Sequence, residues 1–322
     1  MCVGGTVHTR PLHKGASVMP YKKPSTPEEK EGAREASQAI TQELMARIDT
    51  CAQRLAEQLG AGASDELLTF MRFSARFHTY SLNNQVLIWL QAPEAAHVAG
   101  FHAWKALGRT VKKGSKAVRV LAPLVMPDHE APPVNGKPAQ KVVGFKYSSI
   151  FADYDTEGDP LPSAAFMVVQ GGDDGTRALL RSLTAACPVP VRWEDGEGRG
   201  AHGWTDGGQI VLSREKCQGE PAHALRVFFH EWAHVSLHFQ GAGKRAEDLP
   251  DRTTRELEAD AAAYVLSSVY GVEATAAVAD YITHWGGNAE KLHGSMTRIQ
   301  RAVSSILGAL EEQAEVMPQA AD

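Results

Sequence analysis

Residues 224–239 read ALRVFFHEWAHVSLHF and contain the strongest chemical signal of the chain. Within this stretch, His230 and His234 are four residues apart and enclose Glu231. On a helix, side chains four apart lie on one face, about 6 Å apart along the axis, so both imidazoles can reach one zinc ion. Glu231 would project beside them and accept a proton from the attacking water. The apolar residues before the motif predict the buried helix that this chemistry requires.

The third metal ligand is expected from a later helix. His238 follows His234 by four residues, but on a straight helix it lies about 12 Å along the axis from His230 and is turned about 80° from it. A second arrangement of three histidines requires Gly and His at positions that hold Leu237 and Gln240 here. His238 is therefore predicted to orient a neighbour or to cap the helix.

Residues 253–264, TTRELEADAAAY, predict the helix that supplies this ligand. Glu256 and Asp260 share a face, whereas Glu258 is turned about 200° from Glu256, so only one of the two glutamates can face the metal. We predict Glu256 as the ligand, Asp260 as the acceptor of a hydrogen bond from a ligand imidazole, and Glu258 on a solvated face. The choice between the two glutamates stays open. Three other histidines have no partner that the sequence identifies and are expected to be exposed or satisfied: His223, His284 and His293.

Composition is that of a globular protein of about two domains. The 322 residues are 43% apolar and carry a net charge of −5. No apolar run approaches the roughly 20 residues that span a bilayer, and the first residues lack the apolar core of a signal peptide. The four cysteines are dispersed and form no Cys-x-x-Cys pair, which excludes a disulfide framework and indicates the cytoplasm.

Residue patterning predicts an α+β chain with a flexible arm and two domains: residues 1–32, 33–162 and 163–322. The first domain is predicted to combine helices with two strands that flank a long hairpin loop. Its helices are expected at about 33–59, 65–78 and 81–92, and its strands at 118–125 and 141–152. The second domain is predicted to be rich in helices and to contain a small sheet. Its strands are expected at 164–170, 189–193 and 208–213, and its helices at 176–187, 220–239, 253–270 and 288–312.

A basic stretch without any acidic residue spans residues 95–127. Six cations and two aromatic residues are interleaved there, and amides and a hydroxyl lie just upstream. Positive charge follows a phosphate backbone, and aromatic faces stack bases. A solvated turn, with Ser81 and Asn84 capping a helix, is the alternative that remains open. The candidate nucleic-acid-binding residues are Tyr80, Asn83, Asn84, Trp104, Arg109, Lys112, Lys113 and Lys116.

Three blocks of the first domain resemble the N-terminal domain of ArdC-type antirestriction proteins. They read FHTYSLNNQVLIWLQAP, HVAGFHAWKALGRTVKKGSKAVRVLAPL and IFADYDTEGDPLP, and they occur in the family's order over roughly residues 40–162. The family often carries Gln where this chain has Asp155. The resemblance implies that the first domain binds single-stranded DNA and that the protein protects incoming DNA of mobile elements from restriction.

The stretch FFHEWAHVSLHF, followed by RELEADAAAYVL, resembles the zincin-like domain of ArdC proteins and the short metallopeptidases of the ImmA/IrrE class. This resemblance implies a zinc-dependent peptidase with His230, His234 and Glu256 as ligands and Glu231 as general base. Two alternatives remain: an ImmA/IrrE-like protease that cleaves a repressor, and a DNA-binding protein with a non-catalytic zinc site. The sequence does not identify the protein substrate.

Overall fold

The computed structural model describes residues 26–61, 65–128, 130, 132, 138–161, 172–195, 201–217, 219–239, 249–272 and 288–316, with side chains to residue 311 in the last helix. The described chain is α+β, as predicted, and its strands form two three-stranded sheets and one two-stranded ribbon. The predicted strand at 164–170 and the predicted boundary at residue 162 lie outside the described residues.

The first helix, α1 (Pro27–Gly60), begins six residues inside the predicted flexible arm. A reciprocal cap causes this early start: the Thr26 side chain accepts a hydrogen bond from the backbone N–H of Glu29, and the Glu29 carboxylate accepts one from the N–H of Thr26, each at 3.1 Å. Pro27 occupies the first turn, where its missing N–H costs nothing. The signal Thr-Pro-Glu-Glu was present in the sequence. Residues 1–25 of the predicted arm lie outside the described residues.

Three helices and five strands complete the first half of the chain. The helices are α2 (Asp65–Ala75), α3 (Leu82–Gln91) and α4 (Phe101–Ala106). The strands are β1 (Val98–Ala99), β2 (Arg109–Val111), β3 (Val118–Asp128), β4 (Ala139–Ala152) and β5 (Thr156–Gly158). The predicted hairpin is the antiparallel pair of β3 and β4, and β1 adds to the other edge of β4. Strands β2 and β5 pair separately.

Two amide side chains of α3 bond to backbone N–H and C=O groups at the free edge of β3. Asn84 donates to the carbonyl of Leu121 and accepts from its N–H, both at 2.8 Å. Gln91 makes the same pair of bonds to Arg119, at 2.9 and 3.0 Å. The helix thus takes the place of a further strand and covers an edge that would otherwise be exposed for pairing.

The second half of the chain places a small sheet beside long helices. It contains α5 (Gly172–Ala186), β6 (Val191–Glu194), β7 (Gly203–Thr205), β8 (Ile210–Ser213), α6 (Arg214–Cys217), α7 (Pro221–His234), α8 (Arg252–Val269) and α9 (Ala289–Val316). A π-helical turn, Val235–Phe239, extends α7. Strand β8 is central, parallel to β6 and antiparallel to β7. Strand β7, which has only three residues, was not predicted from the sequence.

One apolar core joins the two halves. It contains residues of α1 and α2 together with residues of α7, α8 and α9, among them Leu44, Phe70, Phe228, Leu266 and Ile306. Polar contacts add to this packing: Gln300 on α9 donates to the carbonyls of His78 and Tyr80, at 3.1 and 2.9 Å. The long helix α9 therefore contacts both sides of the predicted domain boundary.

Candidate metal centre and nucleic-acid surface

The histidine motif lies on α7, and its two imidazoles meet a carboxylate of α8. The Nε2 atoms of His230 and His234 lie 2.9 Å apart, and Oε2 of Glu256 lies 3.4 Å from each of them. Tetrahedral zinc with bonds of about 2.0–2.1 Å places its donor atoms roughly 3.3 Å apart. The three residues therefore fit a single metal ion.

Residues behind the two imidazoles fix their orientation. Nδ1 of His230 donates to Oδ1 of Asp260 at 2.9 Å, and Nδ1 of His234 lies 2.9 Å from Nδ1 of His238. Each ring therefore presents Nε2 to the position of the metal. Asp260 and His238 lie where the sequence placed an acceptor and an orienting residue. The π-helical turn begins directly after His234, so the straight-helix geometry used for His238 does not apply beyond that point.

Glu231 lies at the wall of a cleft of about 390 Å³ that also contains the two imidazoles. Its side chain is buried, and the edge strand β7 passes directly over it. A Cβ atom at Gly203, the first residue of β7, would come within 2.6 Å of Val227 Cγ1 and 3.2 Å of Glu231 Cγ. The absent side chain is what allows strand and helix to approach so closely.

Charges around the site favour a cation between the imidazoles and the carboxylates. Burial lowers the pKa of His230, but hydrogen bonds to Asp260 and Glu256 outweigh burial and raise that pKa to about 9. Hydrogen bonds from His230 and His234 hold the pKa of Glu256 well below its ordinary value. Burial raises the pKa of Glu231, against the lowering effect of the two imidazoles. A carboxylate with a raised pKa is a better general base near neutral pH.

Glu258 does not lie on a solvated face, and that expectation was wrong. Its side chain is fully buried, and both of its oxygens accept hydrogen bonds from Nε of Arg298 on α9, at 2.9 and 3.0 Å. Glu258 therefore points away from Glu256 toward α9. Helical periodicity correctly separated the two glutamates, but it could not show that the second one meets an arginine 40 residues later.

Several residues predicted to bind nucleic acid are instead used inside the fold. Trp104 is 1% exposed, and its indole N–H donates to the carbonyl of Phe151 at 3.0 Å, so its ring offers no face to a base. Arg109 donates through Nε to Thr156 Oγ1 at 2.8 Å and also contacts the backbone of β5. These two side chains hold the first half together, because each crosses between chain segments more than 40 residues apart.

The residues of the upstream block are likewise engaged. The amide oxygen and the amide nitrogen of Asn84 both bond to the backbone of Leu121. Asn83 Oδ1 lies 2.9 Å from Nε2 of His293. Tyr80 is half-buried and donates its hydroxyl to the carbonyl of Val98 at 3.2 Å. The structure therefore gives these three side chains hydrogen-bond partners inside the fold.

The remaining lysines are exposed and lie around a turn at Gly114, whose φ is +90°. Lys112 donates Nζ to the carbonyl of Tyr154 at 2.9 Å, while Lys113 and Lys116 extend into solvent. A cavity of about 700 Å³ opens beside them, and its wall contains two further cations and two tyrosines: Arg47, Arg119, Tyr147 and Tyr154. The guanidinium of Arg119 lies 5.8 Å from the centre of the Tyr147 ring.

Sequence reasoning overlooked Arg47, Tyr147 and Tyr154 because they lie outside the basic stretch. It also gave no partner to His223 and His293, which contact His202 and Asn83 respectively. The outward positions of β4 could have identified Tyr147, since alternate residues of a strand share a face. None of the helices in the described part of the chain combines the length and apolar character needed to span a membrane.

Comparison with curated proteins finds one relative that extends over most of the chain. It is an uncharacterized protein of Bacillus anthracis, 26% identical over 339 aligned residues that cover 90% of this chain. The chain spans about half, 54%, of the length of that relative.

Comparison with solved structures finds two crystal structures of the antirestriction protein ArdC from the R388 plasmid. The metal-free structure has a TM-score of 0.43 and 20% identity, and covers 74% of this chain and 87% of that chain. The Mn(II)-bound structure has a TM-score of 0.45 and 18% identity, with coverage of 74% and 86%.

Comparison with protein families finds a match to the first half of the chain. Residues 34–151 match the model of the N-terminal domain of the anti-restriction factor ArdC. The matched range contains the first two of the three sequence blocks, from the helix that holds Asn84 to the strands around the basic turn. This chain therefore carries the N-terminal domain of the ArdC antirestriction family, as the resemblance in its sequence predicted.

Proposed function

We propose that this protein is a metallopeptidase of ArdC type whose first half binds single-stranded DNA. The proposal of peptidase activity rests on the convergence of His230, His234 and Glu256. Their donor atoms lie within 4.8 Å of one another, and a buried Glu231 lies beside them. Two imidazoles and a carboxylate are a donor set that zinc favours and that leaves a fourth position open.

Each residue of the site has a separate role in the proposed hydrolysis. Zinc, when bound, supplies a Lewis acid for the scissile carbonyl and lowers the pKa of water. Asp260 holds the tautomer of His230 by accepting its Nδ1–H, which leaves Nε2 free to bind. Glu231 accepts the proton of the attacking water and returns it to the leaving amine. Its burial, which raises its pKa, suits both steps.

Strand β7 would position the substrate. It lies at the edge of its sheet and borders the cleft through Gly203, Trp204 and Thr205. An extended peptide can add to such an edge through main-chain hydrogen bonds, which would bring a peptide bond over Glu231. Arg252 and Arg255 line the same cleft and supply positive charge for carbonyl or carboxylate groups of the substrate.

Glu231→Gln tests the proposed mechanism. The variant keeps the shape of the site but lacks the base, so hydrolysis of denatured casein should fall by about 10²–10⁴-fold while the zinc content stays at the wild-type value. His234→Ala should lose activity together with the zinc ion of the histidine motif. Glu220→Gln, an exposed change just before the same helix, should alter neither property. Casein hydrolysis by Glu231→Gln at the wild-type rate would contradict the mechanism.

For the DNA, we propose the basic turn and the adjoining cavity as the binding surface. Lys116 lines a cavity that also presents Arg119, Tyr147 and Tyr154, and Lys113 is an exposed cation of the same basic turn. Cations follow the phosphates of a single strand, and tyrosine rings stack its bases without demanding a sequence. Binding of single-stranded DNA there would serve the protection of incoming DNA that the resemblance to ArdC-type antirestriction proteins implies.

The salt dependence of binding tests this surface. For each phosphate contact removed, the slope of log K against log salt for a single strand should become shallower by about 0.7. We therefore expect Lys113→Ala and Lys116→Ala to weaken binding of an oligothymidine and to flatten that slope, as measured by fluorescence anisotropy. Lys291→Ala, an exposed lysine on α9, is the matched control. Unchanged slopes in both test variants would show that the DNA binds elsewhere.

A further inference from the structure

A second pair of histidines repeats the geometry of the first. Nδ1 of His202 lies 2.7 Å from Nε2 of His223, with ring centres 4.7 Å apart and ring planes at 82°. In the motif pair, His230 and His234, the corresponding values are 2.9 Å, 4.6 Å and 76°. In both pairs two ring nitrogens therefore point at one position between nearly perpendicular rings.

A cysteine completes the second cluster. The Sγ atom of Cys217 and one ring nitrogen of each histidine all lie within 4.8 Å of one another. The cysteine is 1% exposed, and its Sγ lies 3.4 Å from the carbonyl oxygen of His202. A hydrogen bond between the imidazoles explains their contact with each other, but it does not explain why a third donor of the kind that zinc prefers lies against both.

The three residues come from three separate pieces of the chain. His202 directly precedes β7, Cys217 ends α6, and His223 lies in the first turn of α7. His223 and His230 are seven residues apart on α7, which separates the clusters by about 10 Å along the axis. An ion in each cluster would therefore have its own ligands. Both clusters border one cavity of about 450 Å³.

We propose that His202, Cys217 and His223 bind a second zinc ion, distinct from the ion of the histidine motif. Two imidazoles and a thiolate are a borderline-soft donor set that suits zinc, with water in the fourth position. The ion would tie the residue before β7 to α6 and to the start of α7. Because β7 is the wall of the substrate cleft, this ion would fix the cleft without taking part in the reaction.

Metal content and cobalt spectra of the full chain test the proposal. Wild-type protein that is stripped with a chelator and titrated with zinc should bind two ions per chain. Cys217→Ser and His202→Asn should each bind one, and so should His234→Ala. When cobalt(II) replaces zinc, a near-ultraviolet band from sulfur to cobalt should appear in wild type and in His234→Ala but be absent in Cys217→Ser, because only the second cluster contains sulfur.

Two controls keep the result decisive. Cys187→Ser, a half-buried cysteine outside both clusters, should keep two ions and the band. His202 is exposed, so His202→Asn tests the site even if Cys217→Ser does not fold. A single ion in wild type that is lost in His234→Ala, together with no sulfur band, would overturn the second site and leave the peptidase intact. A single ion that is lost in Cys217→Ser and retained in His234→Ala would support the second site and contradict the proposed zinc site of the histidine motif.

Discussion

The tautomer of His230 is set by the residue behind it. Asp260 accepts the Nδ1–H of His230, so the neutral form of that ring has its lone pair on Nε2, the atom that faces Glu256. Helical spacing in the sequence was enough to place Glu256 and Asp260 on one face of α8. It was not enough to place His238, because the helix changes to a π-helical turn after His234.

Replacement of Asp260 by alanine should weaken metal binding without unfolding the protein. The ring of His230 would lose the acceptor that orients it, and loss of such a partner typically costs 10–100-fold in metal affinity. Competition with a zinc chelator measures this change. Asp174→Ala, which removes an exposed carboxylate on α5, should leave the affinity unaltered. Equal affinities for Asp260→Ala and wild type would show that His230 is oriented by something else.

At the scale of whole elements, α8 is held on two opposite faces. One face presents Glu256 and Asp260 to α7, and the other buries Glu258 against Arg298 of α9. Because α8 is fixed to α9 by this ion pair, Glu256 on its first turns is held in place by contacts that are remote from the site. Removal of one partner of a buried pair leaves an uncompensated charge, which is costly.

Arg298→Met should therefore lower the free energy of unfolding by on the order of 3 kcal/mol, the lower end of the usual range because the arginine is partly exposed. Urea denaturation followed by circular dichroism measures this loss. The double variant Glu258→Met with Arg298→Met should regain most of the stability, since no buried charge remains. Arg301→Met, an exposed change on the same helix, is the control. A loss as small as that of Arg301→Met would mean that Glu258 is satisfied in another way.

Long elements were predictable from sequence and short ones were not. The helices that became α7, α8 and α9 have apolar residues at helical spacing, and the strands of the β3–β4 hairpin are rich in β-branched residues, so their periodicity identifies them. Strand β7 has three residues and forms only because β8 and α7 flank it. The same limit explains Trp104 and Arg109, whose partners lie more than 40 residues away in the chain and leave no local signal.

At the scale of the molecule, the core does not stop at the predicted domain boundary. Leu44 and Phe70 of the first half belong to the same apolar cluster as Phe228 and Ile306 of the second. Such a shared core couples the folding of its parts, since exposure of one half removes packing from the other.

We therefore expect the two halves to unfold together. Native-state hydrogen exchange in increasing urea should show the amides of α3 and α7 losing protection through one opening, with the same free energy and the same dependence on urea. Mass spectrometry of peptides from Leu82–Gln91 and Pro221–His234 resolves the two helices. Two openings with clearly different free energies would show that the halves fold independently despite their shared core.

The close contact of β7 with α7 has a consequence for variation of this protein. Any side chain at position 203 would meet Val227 Cγ1 at 2.6 Å, so even Gly203→Ala would require the Val227 side chain or the strand itself to shift. Such a shift would change the wall of the cleft beside Glu231. The shape of the cleft thus depends on the absence of a side chain, at a residue that itself offers no functional group.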